Sequence, residues 1–186
     1  MVEPMNFRRL DLSGADSHDF AHRMFSRNIR NLPMGHGALS LFLSAEGKVQ
    51  SIFWAIKIPE GMLLLVPENL AQRTYDLIER YHFAEKFTTT LGASVALQWQ
   101  PSESKAESAD GKLLGSVFEG DWRTTRYRFD LDSTPTSEKS PPDFDMDLEQ
   151  TPLVFHAGLE DLCDTDKGCY IGQEIVERVL SRRRKP

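Results

Sequence analysis

Apolar residues recur four apart in the stretch SGADSHDFAHRMF, where Phe20 and Met24, and Ala21 and Phe25, fall on one stripe. That is the period of an amphipathic helix, and the turn and cap residues ahead of it predict a start near Asp16. The pattern then shortens. ALSLFLS and KVQSIFWAIKI are rich in apolar and β-branched residues and are separated by AEG, which predicts a hairpin. PEG turns the chain again into MLLLV, completing a three-stranded meander. From Pro67 the helical period returns, with Leu70, Thr74, Leu77, Ile78 and Tyr81 on one face. KFTTT and SVALQWQ then predict two strands around Leu91 and Gly92, and LLGSVF and RTTRYRFD two more. TPLVFHAGLEDL, with Thr151 as cap and Pro152 in the first turn, predicts a helix, as does GQEIVERVL.

Strands in consecutive runs, interrupted by isolated helices, predict an α+β fold with antiparallel sheets and packed helices, and exclude a doubly wound parallel sheet. Two stretches, 101–112 and 132–143, are rich in Ser, Pro and charge and poor in apolar surface, so they read as flexible loops within one domain. The domain runs over about residues 1–180, and 181–186 form a basic tail.

Composition narrows the function classes. The 186 residues carry 22 basic and 28 acidic side chains, a formal charge of −6, which argues against direct nucleic-acid binding through phosphate neutralisation. The longest apolar run, MLLLV, is too short to span a bilayer, and the N-terminus lacks the apolar segment of a signal peptide, so a cytoplasmic setting without membrane contact is expected. Two cysteines, Cys163 and Cys169, six apart, form neither a disulfide framework nor a C-x-x-C metal pair. His18 and His22 lie four apart, but no third ligand accompanies them, and no metal site is expected. Dinucleotide, P-loop and G-x-S-x-G strings are absent.

The chemistry concentrates in DTDKGCYIGQE, residues 164–174. Gly168 and Gly172 allow tight turns on both sides of Cys169 before a helix starting near Gln173. Lys167 and the helix start both place positive charge near the thiol, which favours thiolate. A small buried cysteine in a tight turn satisfies the same pattern, and local physics leaves the reactive and inert readings open.

KGCYIGQE resembles the signature of the YgfZ family of folate-binding, iron–sulfur-related proteins, relatives of the aminomethyltransferase (T-protein) of the glycine cleavage system. LSGADSHDFAHRMFSRNIRNL is similar to that family's opening segment, and ALSLFLSAEGKVQSIFWAIKIPEGMLLLVP to its hairpin. The resemblance implies an aminomethyltransferase-like, tetrahydrofolate-binding domain built around a folate-sized cavity. It further implies a role in assembling or repairing iron–sulfur clusters of client proteins, including tRNA-modifying enzymes. Cys169 would be the working thiol and Lys167 would tune it. Tyr170 or Trp54 would offer ring surface to the pterin, Gln173 and Glu174 would meet the amino-pyrimidine edge, and Arg178 would meet the glutamate tail or pair with Glu174. The hairpin acid of the transferases is replaced by Ser51 and Ile52, so aminomethyl transfer to tetrahydrofolate is the alternative and a scaffold without folate the second alternative. The family's β-rich C-terminal domain is not expected within these 186 residues.

Overall fold

A computed structural model describes residues 6–103, 105–133 and 150–183. In chain order these form β1 (Phe7–Ser13), α1 (Ser17–Met24), β2 (His36–Leu43), β3 (Val49–Ile58), β4 (Gly61–Pro67), α2 (Glu68–Tyr81), β5 (Thr88–Pro101), β6 (Asp110–Leu114), β7 (Val117–Trp122), β8 (Thr125–Asp130) and α3 (Gln173–Arg183). The fold is α+β, and its strands close into one antiparallel barrel in the order β1-β4-β3-β2-β6-β7-β8-β5. Closure gives every described strand a neighbour on each side, which pairs backbone donors and acceptors that an open sheet's edges would expose.

The expected meander is β2–β3–β4, and the expected first, second and last helices are α1, α2 and α3. Three details differ from the periodicity. β1 is an additional strand that carries a register shift between Arg8 and Leu10, which blurs its alternation in FRRLDLS. The two strands expected around Leu91 are one strand, β5, which pairs with β1 through Val95 and passes to β8 from Ala96 onward. LLGSVF is split by a turn at Gly115, and β6 begins at Asp110 inside the expected 101–112 loop. The 132–143 loop lies outside the described residues beyond Ser133.

The expected helix over 151–162 is absent. Instead, the Val49 amide donates to the Pro152 carbonyl at 2.8 Å and the Val154 amide to that of Gly47 at 3.0 Å, so this backbone lies against the tip of the β2–β3 hairpin. Those groups are then spent on the hairpin, and helical structure is limited to one 3-10 turn at Glu160–Leu162.

The two halves of the barrel are buried differently. β2, β3 and β4 are buried almost throughout. Their inner face fills the barrel, while α2 crosses β1, β3, β4 and β5 on the outside and α1 lies against β4. Beneath α2, the Ser51 and Thr74 hydroxyls are 2.6 Å apart, so Ser51 is spent on holding that helix. β7 and β8 alternate, with Phe118, Trp122, Tyr127 and Phe129 buried. Their other face carries the ion pairs Arg126–Asp121 (2.8 Å) and Arg128–Glu119 (2.6 Å). The interior is a packed aromatic core, with Trp54 5.4 Å from Phe118 and 5.9 Å from Tyr127 between ring centroids. Gly120 makes room for it, because a Cβ there would lie 2.8 Å from the Trp54 ring.

Candidate functional site

The segment from Leu159 to Gly172 runs across the outside of the barrel beside residues 25–28 and is stitched to them by polar contacts. The Ser26 hydroxyl donates to the Leu162 carbonyl at 2.6 Å and accepts from the Leu41 amide at 2.9 Å. The Asp164 amide donates to the Ser26 carbonyl at 3.0 Å, and the Asp164 carboxylate accepts from the Asn28 amide at 2.7 Å and from Arg27 Nε at 3.3 Å. The contacts of Ser26, Arg27 and Asn28 with Leu162 and Asp164, more than 130 positions along the chain, fix where the cysteine-bearing stretch begins.

Lys167 points inward and is 6% exposed. Its ammonium donates to the Phe25 and Arg27 carbonyls, the latter at 2.9 Å, and lies 4.9 Å from the centre of the Tyr170 ring. Burial pushes the Lys167 amine down to about 7, opposed by the nearby Asp164 carboxylate. The backbone carbonyl of Lys167 is 2.9 Å from His22 Nε2, and His22 Nδ1 is 3.4 Å from the Arg30 amide. These partners assign a neutral imidazole with its proton on Nε2. Burial lowers the His22 pKa, and the neighbouring Lys167 and Arg30 charges lower it further. Cys163 is buried beside the Tyr170 hydroxyl; burial pushes its thiol up to about 12, so it stays protonated at neutral pH, and burial raises the Tyr170 phenol as well.

Cys169 has the opposite setting. It is exposed, as is Gly168 before it, where φ is +89°. The thiol borders an open depression of about 570 Å³ lined by Thr165, Asp166, Tyr170, Gln173, Glu174 and Glu177. Gln173 Oε1 accepts from the Tyr170 amide at 3.1 Å, and its Nε2 donates to Glu177 at 2.7 Å. Glu174 pairs with Arg178 one turn along α3, at 2.5 Å. The helix start is held against the barrel at Gly172, with φ +83°, where an added Cβ would lie 2.5 Å from the Ser44 carbonyl oxygen of the β2–β3 turn.

The structure therefore brings Cys169, Tyr170, Gln173 and Glu174 to one depression, with Arg178 as the ionic partner of Glu174. Lys167 lies behind the thiol, and Trp54 is 0% exposed within the barrel. His18 and His22 bond separately: His18 Nε2 lies 2.8 Å from the Gly61 carbonyl, and His22 Nε2 lies 2.9 Å from that of Lys167. Among the described residues no three His, Cys, Asp or Glu side chains form a metal cluster. His22, Ser26, Cys163 and Asp164 are the site neighbours that periodicity did not single out. Asp164 opens the DTDKGCYIGQE stretch; His22 stands out in the sequence only for its spacing from His18, and no local signal marks Ser26, because the partners of both lie far along the chain.

A buried amine makes stability depend on pH. Lysine free in the unfolded chain titrates near 10.5 and Lys167 in the fold near 7, so as pH falls through this window the unfolded state gains a proton that the fold does not. Stability is expected to fall with falling pH between these limits and to level off below 7. Urea midpoints taken between pH 7 and 8, below the ordinary thiol value of 9.0 at which an unfolded Cys163 would begin to oppose it, should show this slope in the wild type and a flatter one in Lys167→Met. Parallel slopes would refute the assignment.

No family model and no curated protein matches the chain. Among solved structures, the glycine cleavage system aminomethyltransferase T from Bartonella henselae is similar over 66% of this chain, with 12% identity and a TM-score of 0.48. The match spans 39% of that enzyme's length. Among the described residues no helix is long and apolar enough to cross a membrane.

Proposed function

We propose that this protein binds a reduced folate and supports the assembly or repair of iron–sulfur clusters in client enzymes, tRNA-modifying ones included, with Cys169 as the thiol that meets the cluster or its precursor. The observation that carries this reading is the exposure of Cys169 at the rim of a depression that also holds Gln173 and Glu174. A thiol that works on another protein's cluster must be reachable, whereas Cys163, its buried neighbour, is shielded and protonated. Gln173 and Glu174 supply both an amide and a carboxylate, the groups that an amino-pyrimidine edge requires. The resemblance of KGCYIGQE to the YgfZ signature supplies the cluster-related part of the proposal. Aminomethyl transfer is less well supported, because Ser51 takes the place of the transferase acid and its hydroxyl is engaged with Thr74 beneath α2.

The test has two arms. Cys169→Ser is expected to abolish complementation of cluster-enzyme activity in a strain that depends on this protein. Calorimetric titration of tetrahydrofolate is expected to give a saturable isotherm that weakens by about tenfold in Glu174→Ala, the cost of losing a charged hydrogen-bond acceptor. Full complementation by Cys169→Ser removes the thiol role. A flat isotherm for the wild type leaves a scaffold that takes no folate.

A further inference from the structure

Burial changes abruptly along four consecutive residues: Lys167 is buried, Gly168 and Cys169 are exposed, and Tyr170 is buried again. The thiol therefore stands on a two-residue arch whose feet are Lys167 and Tyr170. Lys167 is held at both ends, its carbonyl by His22 and its ammonium by the Phe25 and Arg27 carbonyls. At the second foot, the Tyr170 amide donates to the Gln173 side chain at 3.1 Å and its carbonyl accepts from the Gln173 amide at 3.2 Å. The two feet also touch, through the ammonium over the Tyr170 ring. Beneath them lies Cys163, 8% exposed, beside the Tyr170 hydroxyl.

We infer that His22 and Lys167 are positioning residues that pin the arch from behind and so hold the Cys169 thiol in one presented conformation, without themselves meeting the ligand. The inference rests on the reading of Cys169 as the working thiol, and it changes the role of Lys167. A lysine whose ammonium is engaged by two backbone carbonyls on the buried side acts on the thiol through the backbone it anchors. His22 completes the anchor because, as a neutral imidazole, it offers a donor to the Lys167 carbonyl while accepting from the Arg30 amide. The chain turns between the feet at Gly168, whose φ of +89° lets the backbone double back without a Cβ.

Cys163 provides a reporter independent of folate or client. The full chain is treated with 4,4′-dithiodipyridine under native conditions, and modification of each cysteine is followed by mass spectrometry. In the wild type Cys169 should react rapidly and Cys163 slowly. In Lys167→Met and in His22→Leu the rate at Cys163 should rise by about tenfold or more, because local opening of the arch becomes easier once charged and buried hydrogen bonds are gone. His22→Gln, which keeps an N–H for the Lys167 carbonyl, should restore most of the shielding. Complementation should follow the same order, with His22→Gln near the wild type and His22→Leu near Cys169→Ser. Rescue by glutamine separates an anchoring bond from simple filling of space.

Unchanged shielding of Cys163 in folded Lys167→Met and His22→Leu would overturn the inference, as would His22→Gln behaving like His22→Leu. If neither variant folds, hydrogen exchange on the wild type decides: the Tyr170 and Gln173 amides should exchange about tenfold or more slowly than those of Gly168 and Cys169, and equal rates would overturn it. If Cys169→Ser complements fully while the shielding results stand, the arch is real and the proposed use of its thiol is wrong.

Discussion

Gly172→Ala is expected to cost about 2–4 kcal/mol of stability, the sum of a left-handed backbone that disfavours a Cβ and a steric conflict with backbone that cannot move aside. At φ +83° the added Cβ would lie 2.5 Å from the Ser44 carbonyl oxygen and 3.0 Å from Leu43 Cβ. Both belong to the β2–β3 hairpin, so relief requires α3 to back away from the barrel or the hairpin to deform. Gly168→Ala is the internal control. Its φ is also positive, at +89°, but an added Cβ would meet nothing within 4 Å, so only the conformational cost of about 1–2 kcal/mol remains. Urea unfolding followed by far-UV circular dichroism should place Gly172→Ala well below Gly168→Ala. Equal losses would mean that the junction between α3 and the hairpin is looser than the packing at Gly172 indicates.

Trp54→Ala should be the most damaging core substitution, at about 3–5 kcal/mol, because it empties the space among Phe118, Tyr127 and Gly120 that the indole fills. Trp54→Phe should cost much less. The indole nitrogen is buried without a hydrogen-bond partner, so the replacement forfeits ring area and no polar contact. The pair also tests the expectation that Trp54 offers its ring to a pterin. With the ring fully enclosed, Trp54→Phe should lower the thermal midpoint while leaving the tetrahydrofolate isotherm measured at 15 °C unchanged. A folded Trp54→Phe protein that has lost binding would place the indole in the ligand's path.

Much of this architecture is readable from residue order. The meander β2–β3–β4 is visible because ALSLFLS, KVQSIFWAIKI and MLLLV are bounded by AEG and PEG, turn chemistry that acts over a few residues. α2 is visible because its apolar residues keep helical spacing over fourteen residues. The failures share a cause. TPLVFHAGLEDL has a plausible cap and a first-turn proline, yet its backbone finds better partners on the tip of a hairpin about a hundred residues earlier. Local propensity is a small bias that tertiary hydrogen bonding overrides. β1 is hidden in the sequence because a register shift interrupts its alternation, and barrel closure is hidden because which strand meets β1 on its second side depends on the path of β5.

The site divides in the same way. DTDKGCYIGQE alone determined that a cysteine would stand between two permissive glycines just ahead of a helix, and that an amide and a carboxylate would open that helix. It left the reactive and inert readings of the cysteine open, and it placed Lys167 near the thiol without saying on which side. Only the tertiary structure decided that Cys169 faces outward while Cys163 is enclosed, and that Lys167 turns back to the carbonyls of Phe25 and Arg27. It also decided that Trp54 belongs to the barrel interior. The physical reason is range: glycine dihedrals, turns and helical periods are set by neighbours within a few residues, whereas burial and a buried ammonium's acceptors depend on segments that meet only when the barrel has closed.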